Sequence, residues 1–122
     1  MSGFNSDDLK NVILVHSQFL SANSSLNKSQ QTVAEKLQAS QDNQLTNLLL
    51  ALLAEQRSLA EDTFNKVLSM PQVDKAIATL TSRTSALKRV ADQMPTTTKI
   101  IQQGNKVVAA AKQISAFANN LG

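Results

Sequence analysis

The sequence predicts an all-α protein: an antiparallel helical bundle of about four helices with coiled-coil-like packing. Three observations carry that expectation. From Phe4 to Met70 the chain runs 67 residues without glycine or proline, the residues that usually punctuate strands, turns and loops. Its two prolines, Pro71 and Pro95, then fall where helical patterns stop. Between these marks, apolar residues recur at alternating spacings of three and four, which is the heptad beat of packed helices.

The first helix is expected over about 6–39. Ser6 can cap the free first-turn amides, and Asp7 and Asp8 face the positive end of the helix dipole. A seam then runs through Leu9, Val12, Phe19, Leu26, Val33 and Leu37, with His16, Asn23 and Gln30 filling its remaining positions. Ile13, Leu20 and Ala34 widen it on one flank, as a bundle helix requires.

Five polar residues in succession, Ser40 to Gln44, place a turn there. Ser21 to Ser25 is a second weak point. The alternative is that the first two segments fuse into one helix of about 60 residues, near 90 Å long at about 1.5 Å per residue. Such a rod would leave an apolar stripe for another chain to cover.

The second helix is expected over about 45–69. Leu45, Leu48, Leu49, Leu52 and Leu53, with Leu50, form the densest apolar patch, so this segment belongs at the centre of the bundle or at an oligomer interface. Leu59, Phe64, Val67 and Leu68 continue it at helical spacing. Pro71 is suited to an early position of the next helix, where its missing amide costs nothing.

The third helix, about 72–94, repeats regularly through Val73, Ile77, Leu80, Thr84, Leu87, Ala91 and Met94. Pro95 and the three threonines after it make a turn and supply a hydroxyl cap. The fourth, about 97–120, keeps the beat in Ile100, Gly104, Val107, Ala111, Ile114, Ala118 and Leu121. These two read as a helical hairpin. Gly104, Ala111 and Ala118, seven apart, fit a close approach to the partner helix, against the alternative that Gly104 is a defect worth about 1 kcal/mol.

The chain reads as one domain, 1–122, since 122 residues support a single core and no linker or repeat unit is visible. With no Trp or Tyr and four scattered Phe residues, that core is aliphatic. The absence of cysteine excludes disulfides, thiolate metal sites and cysteine nucleophiles. Nothing resembles a Sec-type signal, and the longest apolar run, Leu48 to Ala54, is far short of the roughly 20 residues a spanning helix requires. A cytoplasmic protein is favoured, with export by another route left open. Cysteine-free composition rich in Ser, Asn, Gln, Thr and Ala is of a kind met among secreted bacterial helical proteins, an association with no mechanism behind it.

Little in the sequence supports catalysis. There is one histidine, and no phosphate-binding loop, metal spacing or cofactor motif. Asp7/Asp8 and Glu61/Asp62 are sequence neighbours, so on a helix each pair diverges by about 100° and forms no carboxylate dyad. Asp62 and Lys66 are instead spaced for a weak surface pair. His16, Asn23 and Gln30 share one heptad position, and either set the register against a partner helix or mark a half-buried edge. A lone histidine gives scant basis for a metal or catalytic role.

Charge is uneven: residues 1–62 carry net −3 and residues 63–122 net +6. Lys99, Lys106 and Lys112 are the only ionised side chains of the last thirty residues and define a basic face. Nucleic-acid binding is disfavoured, because the basic residues are dispersed and no aromatic lies between Phe64 and Phe117 to stack on bases. The expected function is non-enzymatic assembly or adaptor work, as part of a larger bacterial or phage-type structure, with a protein partner and self-association foremost. The alternative is weak peripheral membrane binding through the cationic last helix, whose apolar side holds Ile100, Val107, Ile114, Phe117 and Leu121. No cofactor is implied.

Overall fold

The computed structural model describes residues 6–59, 61–69 and 72–119, with side chains at 9–59, 65–69 and 72–118. Five helices follow one another: α1 (Ser6–Ser40), α2 (Asn43–Ser58), α3 (Glu61–Leu68), α4 (Val73–Asp92) and α5 (Ile100–Asn119). Among the described residues there is no strand, and the helices pack as an all-α bundle. The cap assigned to Ser6, Asp7 and Asp8, the side chains of Glu61, Asp62 and Phe64, and the places of Pro71 and Leu121 lie outside what is described.

The polar tract after α1 is a turn, so the long fused rod does not form. The Gln41 amide donates to the Leu37 carbonyl at 3.0 Å, Gln41 takes a left-handed φ of 51°, and Asp42 caps α2 by accepting from the Gln44 amide at 2.8 Å. The chain therefore folds back and covers its own apolar stripe. Ser21 to Ser25, the other expected weak point, stays helical.

The single second helix divides in two. Leu59 leaves helical geometry at φ −94° and ψ 42°, its amide bonding the Gln56 carbonyl at 3.2 Å. Phase explains the break. The buried positions Leu45, Leu48, Leu52, Glu55 and Leu59 step by three and four. Continued in one straight helix, that stripe would reach Asp62, Lys66 and Ser69. Restarting at Glu61 brings Val67 into the core and leaves Lys66 outside.

Contacts between named residues fix the directions. The tight turn at Gln41 and Asp42 folds α2 back antiparallel along α1, and Asn27 and Gln30 both meet Gln56. Val90 meets Gln103 and Arg83 meets Gln113, so α4 and α5 are too. Leu48 with Gly104 and Glu55 with Lys112 advance together, which makes α2 and α5 parallel neighbours. Gln18 with Thr84, and Leu14 beside Val73 and Ile77, do the same for α1 and α4. The core between them is aliphatic, centred on Leu26, Leu52, Leu80, Leu87, Met94, Val107 and Ile114.

α4 and α5 bury the seams read from sequence, from Leu80 through Met94 and from Gly104 through Ala118, while Val73, Ile77 and Ile100 are half-buried. α1 does so in part: Phe19, Leu26 and Val33 of its expected seam are buried and Val12 and Leu37 half-buried, but Leu9 and His16 are exposed, and the inward line is completed by Val15, Ala22 and Ser29 rather than by His16, Asn23 and Gln30. Short side chains are the reason: Ala22, Ser25 and Ser29 let neighbouring helices approach, and the Ser29 hydroxyl donates to the Ser25 carbonyl at 3.0 Å, so burying it strands no polar atom. The close approach at Gly104 is likewise made to Leu48 of α2 rather than to the hairpin partner α4.

Candidate interaction surface

The three polar residues of the expected register seam are separated by the fold. His16 is exposed, Asn23 half-buried, and Gln30 half-buried at the α1–α2 contact. There the Gln30 Nε2 donates to the Gln56 Oε1 at 2.8 Å, and the Gln56 Nε2 donates to the Asn27 Oδ1 at 3.0 Å. This relay ties one level of α1 to one level of α2. A second polar tie joins α1 to α4, where the buried Thr84 hydroxyl lies within reach of both the Gln18 side-chain oxygen and the Leu80 carbonyl.

The leucine patch is divided by depth. Leu45, Leu48 and Leu52 are buried in the bundle, Leu49 and Leu53 are half-buried, and Leu50 faces solvent. On α5, Val107 and Ile114 are fully enclosed and Ile100 and Phe117 half-buried, so the face that would meet a membrane packs against the other helices. Phe117 also lies under the Arg83 guanidinium, 5.3 Å from the ring centre, while Arg83 donates to the Gln113 carbonyl at 2.6 Å.

Lys99, Lys106 and Lys112 are exposed but share no single face. At about 100° per residue, Lys112 lies about 140° round the helix from Lys99. It sits instead on the α2 side, where its charge attracts Glu55. That carboxyl is largely buried, and burial raises its pKa above the ordinary 4.5, with Lys112 pulling the other way.

Among the described residues no three His, Cys, Asp or Glu side chains group so as to hold an ion, and no helix is long and apolar enough to cross a membrane. An open groove of about 380 Å³ lies between α1 and α4, lined by Lys10, Asn11, Leu14, Val73, Asp74 and Ile77.

The exposed feature that stands apart is on α1. Leu9, Ile13 and Leu20 are 54%, 58% and 55% exposed, and with His16 they fall within about 60° on its outer side at spacings of four, three and four. α1 thus carries two heptad seams, one turned inward and one outward. The outward seam continues through Asn23, Asn27 and Gln30, where α2 engages it through Gln56; toward the start of α1 its apolar members Leu9, Ile13 and Leu20 are each more than half exposed. The sequence signal for this surface is a run the apolar pattern obscures: residues 11–27 contain no Asp, Glu, Lys or Arg. A helix that only needed to be soluble would place charge along its outer side.

The chain matches no protein-family model, no curated protein and no solved structure, which leaves its own surface as the source of a functional reading.

Proposed function

We propose that this protein is a non-enzymatic interaction module that docks a helical partner along the outer side of α1, between Leu9 and Leu20. The observation that carries the reading is the exposed stripe of Leu9, Ile13 and Leu20, which runs into residues 11–27, where there is no Asp, Glu, Lys or Arg. Large aliphatic residues half out in water at heptad spacing suit a second helix, because knobs on one helix need holes at the same period on the other. Depletion of charge at the centre of a patch is also what distinguishes contact surfaces from ordinary solvated ones.

A photoreactive amino acid at Ser17, which is exposed beside the stripe, tests this in extracts of cells that make the protein, with the same probe at the exposed Ser82 of α4 as reference. The reading requires discrete protein adducts from position 17 that are missing from position 82. Equal labelling at both positions, or none at 17, would reject it.

A further inference from the structure

The geometry points to a second copy of this chain as the occupant of the α1 stripe, seated antiparallel across a two-fold axis; this rests on reading that stripe as a contact surface. The argument begins with spacing. Leu9, Ile13, His16 and Leu20 are separated by four, three and four residues, a series that reads the same in both directions. Turning one copy of α1 over therefore aligns all four layers at once. Leu9 meets the partner's Leu20, and Ile13 meets the partner's His16, with each pair repeated on the other side of the axis. A two-fold contact needs this self-complementarity, in which residue i meets j while j meets i. Parallel pairing would instead stack His16 on the partner's His16 at the centre.

Charge supports the same occupant. Two copies of most surfaces oppose like charges, but here residues 11–27 bring no Asp, Glu, Lys or Arg to the contact, so two identical faces meet without repulsion. In the antiparallel arrangement Lys10, at the edge of the run, lies level with the partner's uncharged Phe19 and Leu20 rather than with another lysine. Area sets the strength. The stripe spans twelve residues, a strip about 17 Å long and about 10 Å wide, well below the roughly 800 Å² per partner of a standard stable interface. The dimer is accordingly weak and reversible.

Sedimentation velocity of the purified full chain, from micromolar to millimolar concentration, is expected to show the mean mass rising from one chain toward two. Ile13→Glu and, independently, Leu20→Lys should hold the chain at monomer mass with unchanged helical circular dichroism, both sites being more than half exposed. Since the chain has no cysteine, orientation can be read from single introduced thiols. An oxidised mixture of Leu9→Cys and Leu20→Cys chains should cross-link severalfold faster than either variant alone. A chain that stays monomeric throughout, or thiol variants that each link to themselves as fast as to one another, overturns the proposal. Monomeric purified protein together with adducts from position 17 to a different protein defeats the second-copy inference and leaves the contact-surface reading standing. Monomer with no such adducts defeats both.

Discussion

Leu48 occupies the space that a side chain on Gly104 would need. A Cβ built at Gly104 would lie closer than 3.0 Å to Leu48 Cδ2, Cδ1 and Cγ, so α2 and α5 approach as closely as they do because position 104 carries only hydrogen. Gly104→Ala therefore sets two effects in opposition: alanine gains up to about 1 kcal/mol in helix propensity, while overpacking a filled core costs about 1–3 kcal/mol. Leu48 is buried and its Cγ is itself too near, so overpacking wins, and urea unfolding should show a net loss of about 1–2 kcal/mol. Shortening Leu48 to alanine in the Gly104→Ala background should cost less than in the parent chain. Additive effects in that double-mutant cycle would contradict the contact.

Gln103 closes the end of α4. The last carbonyls of any helix lack partners of their own, and the Met94 amide that would serve Val90 bonds Ala91 instead, at 3.1 Å. The buried Gln103 Nε2 reaches back from α5 to donate to the Val90 carbonyl at 2.8 Å and lies 3.2 Å from the Gln93 Oε1. Gln103→Leu preserves the bulk and removes the donor, so it should destabilise by about 1–3 kcal/mol, the usual cost of stranding a buried acceptor. Earlier amide exchange near Val90 and Gln93 is the local signature to measure. Unchanged stability would mean that water replaces the amide.

How much of this could be read in advance depended on what each seam is made of. In α4 and α5 the buried positions are mostly large aliphatics or a regular series of small residues, so burial and hydrophobicity coincide and the pattern was legible from Leu80 to Met94 and from Gly104 to Ala118. In α1 the two separate. Ser25 and Ser29 are buried because they are small, whereas Leu9, Ile13 and Leu20 remain outside, so a hydrophobic template places Phe19, Leu26 and Val33 correctly but rotates the rest of the inward face by part of a turn. The α2–α3 break was hidden for a related reason: it follows from the phase of Lys66 and Val67 relative to Leu59, with no glycine or proline to mark it. The outward stripe was present as residues but read as part of the core, since nothing local distinguishes a leucine that packs inward from one that awaits a partner.

Gln41 carries the left-handed conformation that ends α1. At φ 51° a residue with a Cβ is crowded against its own carbonyl, and glycine is not. Gln41→Gly should stabilise the bundle by roughly 1 kcal/mol. Asp42→Ala, which removes the acceptor held at 2.8 Å by the Gln44 amide, should cost about 1 kcal/mol. Opposite signs at adjacent positions make this pair a direct check on the turn. A loss of stability in the glycine variant would show that the chain does not fold back in this way.

Glu55 makes stability depend on acidity in an uncommon direction. Burial disfavours its ionised form more than the attraction of Lys112 favours it, so its folded-state pKa lies above 4.5 and the folded chain takes up the proton first. Between 4.5 and that raised value the folded state binds more protons than the unfolded one, and the Glu55 contribution to stability falls as pH rises through this window. At neutral pH the ionised carboxylate thus carries a desolvation cost that Glu55→Gln removes. The glutamine variant should be the more stable at pH 7, and its advantage should shrink on acidification and disappear below about pH 4.5, where glutamate is protonated in both states. Lys112→Met, by withdrawing the opposing attraction, should enlarge the glutamine advantage at pH 7. Denaturant midpoints of four chains, the parent, the two single variants and the double variant, measured across this range decide the matter, and an advantage that grows toward low pH would reverse the assignment of burial as the dominant cause.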